Sequence, residues 1–193
     1  MKKTILSIMI VAGAIAGLTA VTGFAQLTPR NLSLAKGSRL WIEGTSTVRS
    51  FSCTATKVDV NVVAEPGVAS AELVQTASLA VPVSSLDCRN GTMNGHMQKA
   101  LKAGAHPQIT WKMSGYKVDG TAVVIDGQLT IAGKDNPIEL RATGTADATG
   151  TIRLKGSKQF KMSEYGVKPP SLMLGTMKVG DQVTVAFDLV LNP

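Results

Sequence analysis

From Gly37 onward, apolar and polar residues alternate with a period of two in almost every segment of the chain. A strand places successive side chains on opposite faces, so this alternation is typical of strands with one dry and one wet face. It predicts about eight strands, which is the pattern of an all-β sandwich or barrel. The central segments of these strands are 38–44, 58–62, 73–81, 109–113, 123–131, 138–140, 152–160 and 183–191. A turn is expected at 134–137, before the sixth strand.

Two segments depart from the alternation. Between Thr92 and Ala103 apolar residues recur at helical spacing, which predicts one short helix that Gly104 ends. The second segment, 163–179, is rich in Met and Pro and connects the last two strands. Most methionines lie in or beside these two segments, where the end of a barrel would be covered. Flexible Met side chains suit a surface that wraps a ligand, but they could equally plug the barrel.

Composition bears on what such a barrel would contain. The chain has only two Trp, two Tyr and four Phe, whereas small residues fill many strand positions. A closed antiparallel sheet of about eight strands holds either a packed core or one ligand. Small inward side chains leave that interior under-filled, which favours the ligand.

Residues 1–25 have the pattern of a secretory signal peptide. Lys2 and Lys3 precede an apolar run, and Gly23 and Ala25 occupy the −3 and −1 positions of a cleavage site before Gln26. A membrane anchor is the alternative, but Gly and Thr dilute the run and no basic cluster follows it. We therefore expect a single domain, 26–193, in the periplasm or secreted, with no transmembrane segment in the mature chain.

The charge and motifs of the chain exclude several functions. Removal of Lys2 and Lys3 would lower the net charge from +7 to +5, and the remaining chain has no basic run, so we expect no nucleic-acid binding.

The sequence contains neither a Gly-x-Ser-x-Gly elbow nor a Gly-x-x-x-x-Gly-Lys loop, and its carboxylates are scattered. Nucleophilic catalysis needs a base placed beside the nucleophile. We expect neither enzymatic activity nor a cofactor.

Two cysteines, Cys53 and Cys88, form an even count in a chain expected to be exported, which predicts a disulfide. A redox or metal-binding thiol pair is the alternative, although no Cys-x-x-Cys spacing supports it. A related alternative is a periplasmic copper or redox protein that uses Cys88, His96, Met97 and His106, because these are soft or borderline ligands close together in sequence.

Several segments in order resemble the YceI family of lipid- or polyisoprenoid-binding domains. They are SRLWIEGTS at 38–46, HMQKAL at 96–101, HPQITW at 106–111, GQLTIAG at 127–133, PIEL at 137–140, YGV at 165–167 and GDQV at 180–183. The resemblance covers about residues 34–192. It departs from the family at Val48 and Arg49, where many members carry a histidine, and the cysteine pair is not general in the family.

The resemblance implies a lipocalin-like, eight-stranded antiparallel β-barrel that holds a long-chain amphiphilic lipid of isoprenoid type. A homodimer and a barrel that binds only a protein partner stay open. The helix and 163–179 would form a lid over an apolar tube. The residues predicted to line this tube are Trp41, Val60, Leu79, Met97, Leu101, Ile109, Trp111, Met113, Ile125, Leu129, Phe160, Met173 and Phe187.

Overall fold

The computed structural model describes residues 29–65, 74–172 and 176–193. The expected signal peptide with its cleavage site before Gln26, and the candidate residue Met173, lie outside the described residues. The strands are β1 Arg30–Leu34, β2 Arg39–Ser46, β3 Ser50–Ala55, β4 Asp59–Ala64, β5 Val74–Pro82, β6 Leu86–Asp87, β7 Gln108–Asp119, β8 Ala122–Ile131, β9 Lys134–Ala146, β10 Ile152–Lys161, β11 Ser171–Leu172 and β12 Met177–Asn192. The α-helix is α1, Gly91–Ala100.

All strand pairs are antiparallel, and the sheet closes on itself. The order β1-β4-β5-β7-β8-β9-β10-β12 returns to its start because β12 also pairs with β1, with Leu191 opposite Leu34. Three of these strands are continued beyond a bend: β1 by β2, β4 by β3 and β5 by β6. Beyond the bend, β2 pairs with both β12 and β3, and β3 pairs with β6. The predicted closed barrel of eight antiparallel strands is confirmed, and α1 is the single α-helix in the described part of the chain.

The turn between β8 and β9 differs from the prediction. The expected turn at Lys134–Pro137 is wrong, because these residues already belong to β9 and pair with β8. The chain reverses instead at Ala132 and Gly133, whose φ angles of 50° and 79° suit a two-residue hairpin. Pro137 is tolerated in β9 because β10 pairs with β9 only from Arg141 onward, so the missing N–H leaves no ladder bond unmade there.

The core fills one end of the barrel. Leu32, Val62, Ala64, Ile152 and Leu191 are buried together where β1 closes on β12. A second cluster lies further along the barrel, around Trp111, Val123, Ile125 and Ile138. Between these two clusters and a third one at the other end of the barrel, around Ile131 and Ala132, the side chains leave a cavity.

The opposite end is covered by two short elements that we call the lid: α1 and the 3-10 turn Met162–Tyr165. Tyr165 and Val167 are buried there against Ile131 and Ala132. The helix is less firmly packed, since none of its residues is buried. No helix within the described residues has the length and hydropathy that a bilayer crossing requires.

Candidate functional site

A cavity of ≈ 480 Å³ lies between the lid and the core of the barrel. Strands from around the barrel contribute to its wall, and α1 closes it from above with Met93, His96, Met97 and Ala100. Cavities that bind small molecules have volumes of about 300–1,000 Å³ and mostly apolar walls. This cavity has both properties, so it is the candidate site.

Most residues predicted to line the tube do lie on the cavity wall. These are Trp41, Leu79, Met97, Leu101, Ile109, Trp111, Leu129, Phe160 and Phe187. Their placement on the wall is a geometric finding, and ligand binding by them stays a prediction.

Three predicted residues lie elsewhere. Val60 packs against the core cluster at the closed end of the barrel, whereas Ile125 and Met113 belong to the cluster around Trp111. All three share the inward face with wall residues: Val60, for example, pairs with Leu79. Alternation therefore identified their face correctly, but it carries no information on how deep in the barrel a position lies.

Trp41 reaches the wall, but its indole is engaged on the outer face of β2. Its Nε1 donates a hydrogen bond of 2.9 Å to Glu43, and the guanidinium of Arg39 lies 5.1 Å from the ring centroid. Both neighbours are exposed and two residues away in the strand, which is the spacing of one face. The inward positions of β2 are instead Leu40 and Ile42, which also belong to the wall.

Trp111 lies on the wall at the junction with the core. It is only 9% exposed, and its Nε1 has no hydrogen-bond partner within the described structure. The indole lies against Gly127 on the neighbouring strand, where any side chain would collide with the ring. A buried donor is normally paired, so this indole N–H is an unusual feature of the interior.

The N-terminal end of α1 is fixed by polar contacts. The side chain of Asn90 caps the helix by accepting a hydrogen bond of 3.0 Å from the N–H of Met93. Asn94 accepts from the N–H of Cys88 at 2.8 Å and donates to Asp87 at 3.0 Å. The hydrogen bond from Asn94, with a second from the N–H of Arg89, holds the pKa of Asp87 below its usual range.

The 3-10 turn of the lid is attached by one carboxylate. Asp181, which lies in β12 where the pairing with β2 shifts register, accepts hydrogen bonds from the N–H and hydroxyl of Ser163, at 2.8 and 2.6 Å. These two bonds, the hydroxyl first, lower the pKa of Asp181. Both halves of the lid are thus held by an ionised aspartate.

The predicted disulfide is present. Cys53 on β3, which is 1% exposed, is bonded to Cys88, two residues before the helix cap. Both sulfur-bearing residues contribute to the cavity wall. The bond therefore ties the start of the lid helix to the barrel.

Three of the four donors of the copper alternative, Cys88, His96 and Met97, lie on the cavity wall, where the sulfur atoms of Cys88 and Met97 are 4.0 Å apart, but they do not form a free ligand set. Cys88 is used by the disulfide, and the ring of His106 packs on Gly133 in the β8–β9 turn. Within the described ranges no group of three or more His, Cys, Asp or Glu residues is placed to hold a metal ion.

Sequence reasoning missed two cations on the wall, Arg49 and Lys158. Arg49 follows Val48 in the β2–β3 turn. Val48 also contributes to the wall, and because it is 65% exposed, this turn marks the mouth of the cavity. Lys158 lies inside, on β10. The signal for Lys158 was available, because it has the parity of Ile152 and Phe160 in the same strand.

A closed up-and-down barrel with an apolar cavity under a helical lid belongs to a class of folds that includes proteins holding one ligand in their interior. The sequence identifies the family within that class. The YceI-like domain matches residues 31–191, and the chain belongs to this family.

Solved structures with the same fold share little sequence with this chain. Burkholderia cenocepacia BcnA superposes with a TM-score of 0.66 at 23% identity, over 79% of this chain and 95% of that one. A polyisoprenoid binding domain from Saccharophagus degradans gives 0.62 at 16%, over 86% and 99%. The Campylobacter jejuni YceI protein gives 0.59 at 18%, over 100% and 99%. No curated protein matches the chain in sequence.

Proposed function

We propose that this protein binds a long-chain apolar lipid of isoprenoid type in the cavity, outside the cytoplasm, and catalyses no reaction. The observation that carries the proposal is the apolar cavity of ≈ 480 Å³ inside a closed barrel. Membership of the YceI-like family and the similarity to a polyisoprenoid binding domain support the choice of lipid.

The energetics of burial favour a long chain over a small molecule. Transfer of one isoprene unit, with about 100 Å² of apolar surface, contributes about 2.5 kcal/mol at 25 cal/mol per Å². The loss of translational and conformational freedom on binding opposes this gain. Several isoprene units are needed before the free energy of binding is clearly favourable. An apolar wall then discriminates between ligands by their length and width.

The lid supplies the route of access. The helix α1 has no buried residue, and elements with few buried contacts open at low free energy. The polar contacts at Asp87 and the disulfide hold its N-terminal end. We expect the helix to move about that end while ligand passes beneath it.

Two observations support a location outside the cytoplasm. Residues 1–25 have the pattern of a signal peptide, and a disulfide between Cys53 and Cys88 persists in oxidising compartments. Expression with and without residues 1–25, followed by fractionation of the cells, tests this part of the proposal. Equal amounts in the periplasm from both forms would contradict it.

Lipid binding is tested by titrating delipidated protein with geranylgeraniol in a calorimeter. The variant Leu79→Trp fills part of the cavity, and we expect it to lose binding, because Leu79 lies on the wall. Thr76→Trp, on the exposed face of the same strand, is the matched control and should bind like the native protein. A folded native protein that takes up no lipid would refute the proposed function.

A further inference from the structure

We infer that the lipid bound in this cavity carries an anionic head group, and that Lys158 inside the barrel binds that group. The inference rests on the proposed function and names the class of ligand for the same site. It is drawn from the position of Lys158, from the charges on the cavity wall and from the cost of burying an ammonium group.

Lys158 lies on the inward face of β10. It pairs with Val185 of β12, which pairs in turn with Ile42 of β2, and all three belong to the cavity wall. Neighbouring positions in the strand, Ser157 and Gln159, are exposed, whereas Lys158 is half-buried. The strand therefore directs this side chain into the interior and its neighbours into solvent.

No negative charge on the wall balances this lysine. The charged residues among the described wall residues are Arg49 and Lys158, with His96 as a further titratable group and neither Asp nor Glu. The ion pairs found within the described ranges join Lys57 to Asp59, Arg141 to Glu139 and Arg153 to Asp188. Neither cation of the cavity takes part in one.

A hydrocarbon ligand changes the surroundings of this ammonium group. In the empty cavity water can solvate it, but a bound chain displaces that water. A charge buried without a partner is strongly disfavoured. An anion carried by the ligand removes this penalty and adds a charge-assisted hydrogen bond, whereas a neutral head group leaves the lysine unpaired.

The two cations define where the head group lies. Through the strand register, Ile42 lies at the same depth in the barrel as Lys158. Ser46 lies four residues further along β2, and its hydroxyl and N–H both contact Arg49. Four residues of strand span about 13 Å. A flexible lysine stem reaches toward the mouth while its methylenes stay against apolar wall. The head group then lies between the two cations, with the tail directed to Trp111.

The test compares amphiphiles that differ only in charge. Geranylgeranyl phosphate is paired with geranylgeraniol, and oleate with oleyl alcohol, so that phosphate and carboxylate are examined separately. Native protein should bind one or both anions about 10- to 100-fold more tightly than the matching alcohol, as expected for a hydrogen bond to a charged group. The variant Lys158→Met keeps the length of the stem without its charge and should abolish most of this preference.

Lys155→Met is the matched control, because Lys155 is exposed on the outer face of the same strand. It should keep the native preference for the anion. Equal binding of anion and alcohol by native protein, or an unchanged preference in Lys158→Met, overturns the role of Lys158 while leaving lipid binding intact. Failure of all four amphiphiles to bind folded protein overturns the proposed function, and the inference with it.

Discussion

The disulfide is the covalent link between the lid and the barrel, so its removal by the double variant Cys53→Ala, Cys88→Ala should destabilise the protein measurably. The two cysteines are 35 residues apart. Chain-entropy arguments for a loop of that length give about 3.8 kcal/mol at 25 °C. For a domain of this size each kcal/mol corresponds to about 2–4 °C, which predicts a fall in Tm of about 8–15 °C.

Urea unfolding followed by circular dichroism measures this loss. The native protein with and without dithiothreitol provides an independent comparison, since reduction should reproduce the effect of the double variant. The variant should also release bound lipid faster, because the start of α1 is no longer bonded to β3. A loss below about 1 kcal/mol, together with unchanged lipid release, would refute the reasoning.

Three further predictions follow from particular contacts. Gly156→Ala should lower the free energy of unfolding in urea by about 1–3 kcal/mol, because its Cβ would lie 2.5 Å from the Arg141 carbonyl oxygen and 2.7 Å from Phe187. Gly115→Ala, where a Cβ meets open space, is the control, and an equal loss in both variants would contradict the packing. The lowered pKa values of Asp87 and Asp181 imply stability that is complete above their ordinary value of 3.8 and is lost as the pH falls through the lower folded-state pKa. Accordingly, the double variant Asp87→Asn, Asp181→Asn should lose less free energy of unfolding than the native protein as the pH is lowered. An equally steep dependence of stability on pH in both proteins would argue against a stabilising role of the two carboxylates. Trp41→Phe should leave lipid affinity unchanged in calorimetry, since the indole lies on the outer face, and a clear loss would show that it faces the cavity.

The face of most strand positions was predictable, because alternation along a strand is a local property. It placed Leu79, Ile109 and Phe187 correctly on the inside. Trp41 was chosen for its apolar character and does reach the cavity wall, but it has the parity of Arg39 and Glu43 and not that of Leu40 and Ile42.

The depth of a position was not predictable, because it depends on the register of distant strands. Val60 and Leu79 face the same interior and pair directly, yet the first packs in the core and the second lines the cavity. The register that closes β12 on β1 determines this difference. Lys158 was missed for another reason: only apolar residues were chosen as candidates for the wall, although the parity of Lys158 in β10 indicates the inside.

Native mass spectrometry of the protein purified from the periplasm tests most directly whether the barrel carries a lipid. The account predicts one added mass per chain, identified as a long-chain lipid after organic extraction, and its loss in the Leu79→Trp variant. A native chain that shows only its own mass, and still does so after incubation with isoprenoid phosphates and alcohols, would contradict the account.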